Sequence, residues 1–217
     1  MARSPEETTA WVAKRINEMA EVQSTVVIGP QVLKIVRKER APFLAAVVST
    51  SKVTREIVEA VLAAEPSAEI VVNVPQRSMW TRAAIEKVQA CGVAFGGIGD
   101  LMSAISRENV RDYQRSEYAF VERGLGQHDR VDRLDREADR LYVVHRNELP
   151  IVRVLLLNEY ELTCEHVRTA RSRYGAFDVI LLTNPNGKPT QEAREVATHL
   201  GVGIFKWGQF LGRLNRK

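Results

Sequence analysis

Two periods alternate along this chain. FLAAVVS (43–49), EIVVNV (69–74) and VAFGGI (93–98) are nearly unbroken apolar runs bounded by turn residues. Such runs read as strands buried on both faces. Between them the apolar spacing switches to that of a helix. TREIVEAVLAAE (54–65) puts Ile57, Val58, Val61 and Leu62 on one stripe. TRAAIEKVQAC (81–91) starts at Thr81, a good N-cap, and stops at Gly92, suited to the left-handed position after a helix. Asp100 is placed to cap the short helix LMSAI (101–105).

The same order returns later. VRVLLLN (152–158), a helix from about Thr163 to Arg173, DVILLTN (178–184), TQEAREVATHL (190–200), Gly201, VGIFKW (202–207) and QFLGRL (209–214) follow in turn. Pro42 aligns with Pro150, Pro75 with Pro185, Thr81 with Thr190, Gly92 with Gly201 and Leu101 with Phe210. The offset drifts between 108 and 110, which one or two small insertions or deletions would explain. An ordered series of this kind points to an internal duplication. The fold class expected is α/β: two tandem Rossmann-like βαβαβα repeats, each a parallel sheet covered by helices.

Two segments fall outside this frame. Ser4-Pro5-Glu6-Glu7 is a strong helix start, and Trp11, Val12, Ile16 and Met19 give the following helix (4–22) an apolar face. STVVIGP (24–30) reads as a short extra strand. QHDRVDRLDREADRL (127–141) sets Val131, Leu134, Ala138 and Leu141 on one stripe, with Asp129–Arg133 and Asp132–Arg136 as i,i+4 pairs. It reads as a charged surface helix, with another around 107–123. The domains expected are therefore 1–106 (N-terminal helix plus first repeat), 107–142 (charged helical linker) and 143–217 (second repeat).

Composition adds a bias. The 217 residues are 45% hydrophobic and 27% charged, with a net charge of +4. No apolar run is long enough to span a membrane, two cysteines make no disulfide framework, and the start is too charged for a secretory signal, so a cytoplasmic protein is expected. The basic residues are 8 Lys and 23 Arg. Arginine suits phosphate recognition, although a GC-rich genome produces the same bias.

The run LLTNPNGKPTQEAREVATHLGVGIFKWGQFLGRL resembles the C-terminal part of the Mrr-like branch of restriction-endonuclease-like nucleases, over roughly 60 residues of each repeat. The resemblance implies a restriction-endonuclease-like α/β fold and a metal-dependent nuclease ancestor. In that family an E-x-K or Q-x-K strand and an Asp one strand earlier hold the ion. This chain has no D/E/Q-x-K. The residues two before its lysines are Val12, Val32, Val36, Thr50, Ile85, Asn186, Ile204 and Asn215. Glu192-Ala-Arg194 has the spacing but lies in a helix. The corresponding strands read AAVVST and VLLLNE. No catalytic residue, metal or cofactor is assigned.

Other chemistry is sparse. His128, His145, His166 and His199 are widely spaced. The aspartates of 129–139 are interleaved with arginines. Cys91, beside Gly92, reads as a small buried residue. AFGGIGD (94–100) lacks both the G-x-G-x-x-G pattern and the P-loop lysine.

Position does more. Ligands of open α/β sheets lie beyond the carboxyl ends of the strands. There the second repeat offers Asn184, Asn186, Gly187 and Lys188, leading into a helix N-terminus that would favour an anion. N-P, N-G and K-P are also ordinary turn chemistry. The C-terminal run adds Lys206, Arg213, Arg216 and Lys217 beside Trp207, and Arg77 with Trp80 forms a weaker group in the first repeat. Basic residues beside an exposed aromatic suit a nucleic-acid strand. The function expected is a non-catalytic protein binding DNA or RNA phosphates. The alternative is a sensor of a nucleotide or small phosphorylated ligand at the strand ends between the repeats. A homodimer is a further partner to consider.

Overall fold

A computed structural model describes residues 3–216. The chain is mixed α/β and divides into two compact units, Met1–Arg115 and Ser116–Lys217.

The first unit opens with α1 (Pro5–Asn17), where Ser4 and Glu7 close a capping box and Pro5 takes the first turn. Next come β1 (Val22–Gly29), β2 (Val32–Arg37), β3 (Phe43–Val48), the short β4 (Lys52–Val53) and α2 (Arg55–Ala64). β5 (Ile70–Asn73), the short β6 (Met79–Trp80), α3 (Arg82–Ala90), β7 (Ala94–Gly96) and α4 (Ile98–Ile105) complete it. The sheet order is β1-β2-β3-β5-β7. β1, β2 and β3 pair antiparallel, whereas β3, β5 and β7 pair parallel. The purely parallel sheet expected from the sequence is thus a mixed one, extended by an antiparallel meander.

Alternation along the strands divides the core. Leu33, Ile35, Phe43, Ala45, Val47, Ile70 and Val72 face α1 and α4. Ala46, Val48 and Val71 face α2 and α3, with Val58, Val61, Ile85 and Val88. This two-sided burial explains why β3 and β5 read as unbroken apolar runs.

The second unit runs α5 (Ser116–Gly126), β8 (Val131–Arg136), β9 (Leu141–Arg146), β10 (Leu149–Leu157), β11 (Glu161–Leu162), α6 (Cys164–Tyr174), β12 (Val179–Leu182), β13 (Lys188–Pro189), α7 (Gln191–His199), β14 (Gly203–Lys206) and α8 (Trp207–Leu214). Its sheet order is β8-β9-β10-β12-β14, again antiparallel up to β10 and parallel beyond. Val152, Val154, Leu156, Val179 and Leu181 pack with α5 and α8. Leu155, Leu157, Ile180 and Leu182 are buried on the opposite face.

The charged surface helix expected at 127–141 is a correction. Val131–Arg136 is a strand, and the helix that opens this unit is α5. The pairs Asp129–Arg133 and Asp132–Arg136 give way to Arg133–Asp135 and Arg136–Glu122.

Ladder partners also revise the drifting offset. Leu33 faces Ala45 and Tyr142 faces Val154; Ala45 faces Ile70 and Val154 faces Val179. Each second pair stands 109 positions after the first. At that shift Pro42 corresponds to Ile151 and Pro75 to Asn184, so the shared prolines are not equivalent positions.

Among the described residues each unit holds one buried arginine. Arg37 donates from Nε to the Ala41 carbonyl (2.8 Å) and from one terminal nitrogen to the carbonyls of Ile105 (3.1 Å) and Arg107 (2.5 Å). Arg146 does the same toward Pro150 (2.8 Å), Leu214 (3.1 Å) and Arg216 (2.7 Å). The bonds tie off the C-terminal carbonyls of α4 and α8, where a cation also meets the negative end of the helix dipole. Burial lowers the pKa of both guanidiniums, with Arg40 adding to the effect at Arg37 and Arg213 at Arg146.

Candidate functional site

The C-terminal edge of the second unit's sheet holds an open cleft of about 570 Å³ beside β14. Lys188 on β13, Arg194 on α7, Lys206 at the end of β14, Arg213 on α8 and Arg216 line it, with Leu182, Gly187, Gln209 and Gly212. No Asp or Glu is among its lining residues. None of the five cations enters an ion pair among the described residues. Lys206 is steered by a bond from Nζ to the Pro185 carbonyl (3.0 Å). The Arg213 guanidinium donates to the Arg216 carbonyl (2.7 Å), the same oxygen that Arg146 holds from beneath.

Most backbone donors of the TNPNGKPT loop are bonded within the protein. Asn184 Oδ1 accepts from the Asn186 amide (3.0 Å), and the Asn184 carbonyl from that of Gly187 (3.0 Å). The amides of Lys188 and Thr190 bond to Tyr160 and Leu162, and Thr190 Oγ1 caps Ala193. These donors serve the turn, the pairing with β11 and the cap of α7, so within the loop itself the groups left to meet an anion are the side-chain cations. Gly187 is required there: a β-carbon would lie 2.5 Å from the Glu159 carbonyl.

Of the residues singled out from the sequence, Gly187, Lys188, Lys206, Arg213 and Arg216 share this cleft, and Asn184 and Asn186 form the adjoining turn. Lys217 lies outside the described residues. Trp207 lines a different pocket. Arg77 is exposed in a turn of the first unit. Trp80 corrects the exposed-aromatic reading: it is 3% exposed and packs on Phe95 with ring centroids 4.9 Å apart. Cys91 is exposed, not buried as its place beside Gly92 suggests.

Arg194 and Gln209 were missed. The signal for Arg194 was its place one helical turn after Thr190, on a helix leaving the loop already singled out.

A second pocket, of about 360 Å³, opens on the α5 and α8 face of the same rim. Ser116, Glu117, Phe120, Val121, Asn158, Leu181, Thr183 and Trp207 line it. Glu117 Oε1 accepts from the Thr183 hydroxyl (2.5 Å) and lies 3.5 Å from the Arg140 guanidinium. Phe120 and Trp207 meet at a tilt of 54°, centroids 4.8 Å apart. The indole lies over Gly124, where a β-carbon would run into its Cζ2.

Among the described residues no group of three or more His, Cys, Asp or Glu is placed to hold a metal ion, and no helix is long and apolar enough to cross a membrane. No family model, curated protein or solved structure matches this chain.

Proposed function

We propose that this protein binds nucleic acid without cutting it, taking the phosphate backbone in the basic cleft of its second unit. The observation that carries the reading is the cleft itself: five cationic side chains from four segments converge with no carboxylate among them. A phosphodiester chain is the natural counterion for such a groove. The two units are read as descendants of one duplicated α/β unit, supported by the shared element order and the constant shift of 109. Kinship with restriction-endonuclease-like nucleases remains part of the proposal, as a relative without the acid-and-lysine motif.

Fluorescence anisotropy with labelled single-stranded and duplex oligonucleotides tests this. If all five cations engage, log K falls against log salt with a slope of about −3.5 for a single strand, so affinity drops roughly a hundredfold from 50 to 200 mM salt. The double variant Lys206→Glu, Arg213→Glu removes binding while leaving the circular dichroism spectrum unchanged. Absence of binding at 50 mM salt defeats the reading. A small phosphorylated ligand is the second reading, because the cleft is large enough for one. It predicts that a mononucleotide raises the melting temperature and that a 12-mer binds no more tightly.

A further inference from the structure

The second pocket is built differently from the cleft. Its walls are the aromatic pair Phe120 and Trp207 with Leu181 and Val121, and its polar groups, Glu117, Thr183, Asn158 and Ser116, converge on the same space. Flat apolar walls with a few placed donors and acceptors are the pattern of a site for a small planar molecule. A carboxylate at its edge repels phosphate and attracts N–H donors. In the first unit, the positions 109 earlier are Thr8 for Glu117, Trp11 for Phe120, Ser49 for Asn158, Val74 for Thr183, Ile98 for Trp207 and Arg15 for Gly124. There Trp11, Val74 and Ile98 pack onto the core. The polar pocket thus belongs to the second unit's sequence and is not dictated by the topology.

Its place on the rim names the occupant. Leu182 lines the cleft while Leu181 and Thr183 line the pocket, because alternate residues of β12 point to opposite faces. Lys206 lines the cleft and its neighbour Trp207 the pocket. The cleft and the pocket therefore both open at the C-terminal rim of the sheet, on either side of β12 and at the junction of β14 with α8, where a strand bound along the cleft can turn one base over the rim.

We infer that the pocket receives the base of an unpaired nucleotide, guanine in preference to the others, stacked on Trp207 with its N–H edge toward Glu117 and its carbonyl oxygen toward the Asn158 amide. Guanine presents N1–H and an amino group side by side, the match for a carboxylate, whereas the other bases present fewer donors on that edge. Thr183 and Arg140 hold Glu117 Oε1 and so fix the acceptor before the base arrives. A base within a duplex cannot reach the pocket while stacked, so the assignment makes the protein a reader of single strands or of displaced nucleotides.

The inference rests on the phosphate-binding reading, and the experiment separates the two. The full chain is titrated with a labelled single-stranded dT 12-mer and with the same strand carrying one central dG. The dG strand is expected to bind about tenfold more tightly and to quench tryptophan emission, with the quench lost in Trp207→Phe. Glu117→Gln abolishes the preference for the dG strand. Asn158→Ala, at an exposed position, reduces the preference without putting the fold at risk. If the two strands bind equally, or another base is preferred, the pocket assignment is overturned while the cleft stands. If neither strand binds at 50 mM salt, both readings fall.

Discussion

Replacing Arg146 by Met tests how a buried cation with no carboxylate partner stabilises the second unit. Arg146 is 7% exposed, and its guanidinium bonds only to main-chain oxygens, those of Pro150, Leu214 and Arg216. Met keeps the aliphatic stem and removes every donor. The Arg216 oxygen keeps its bond from Arg213, and the bonds at Pro150 are only partly buried, so water replaces much of that loss. The Leu214 bond is buried, and its carbonyl is left orphaned at the end of α8. An orphaned buried carbonyl costs about 1–3 kcal/mol and each partly rehydrated bond roughly 0.5–1 kcal/mol. Relief of the cation's desolvation offsets part of this. The net expected loss is about 2 kcal/mol, read as a lower urea midpoint by circular dichroism at an unchanged m-value. Arg146→Lys falls between, because an ammonium keeps the charge but not the fork. Arg37→Met produces a loss of similar size, since its three acceptors stand 109 positions earlier. An Arg146→Met protein as stable as the parent, or more so, would show that desolvation outweighs the carbonyl bonds and would refute the reasoning.

Other outcomes follow from the same geometry. Gly124→Ala displaces the Trp207 indole, so oligonucleotide-induced tryptophan quenching is lost while all-dT affinity is kept. Trp80→Ala costs about 3–5 kcal/mol, measured by urea unfolding, as for a large buried aromatic, and leaves the salt slope of nucleic-acid binding unaltered. Tyr113 is pushed up to about 12, first by burial and then by the Asp100 charge, and burial raises Tyr142 and Tyr174 as well. The unfolded chain releases these protons near pH 10 while the folded chain keeps them, so stability holds below pH 10 and falls from there through about 12 and beyond. Absorbance of tyrosinate at 295 nm should therefore rise for Tyr113 only near pH 12 and for Tyr142 and Tyr174 only together with unfolding, and a rise of all three near pH 10 in the folded chain would contradict the burial.

The parallel half of each unit was legible in the sequence because both faces of its strands are buried and its helices carry explicit caps, such as Thr81, whose hydroxyl accepts from the Ala84 amide. Of the antiparallel half only β1 was legible, as the strand read at 24–30. β2 carries Lys34 and ends on Arg37, a buried cation satisfied by carbonyls from α4 that no local pattern announces. β8 imitated a helix because an irregularity between Val131 and Arg133 breaks its two-residue period, leaving Val131 and Leu134 at helical spacing. The cleft was half legible: Lys188, Lys206, Arg213 and Arg216 cluster near strand ends or the terminus. Glu117 and Phe120 reach the second pocket from α5, far away in sequence from Thr183, so only the folded chain brings them together.

The uninterrupted correspondence between the units gives the molecule a built-in blank. The chain holds a second scaffold of the same topology, in which Trp11, Val74 and Ile98, packed against the core, stand where the proposed pocket has Phe120, Thr183 and Trp207. Transplanting glutamate, glycine, asparagine, threonine and tryptophan to positions 8, 15, 49, 74 and 98 asks whether recognition resides in those side chains alone. The untouched half serves as an internal standard for temperature, salt and concentration in the same tube.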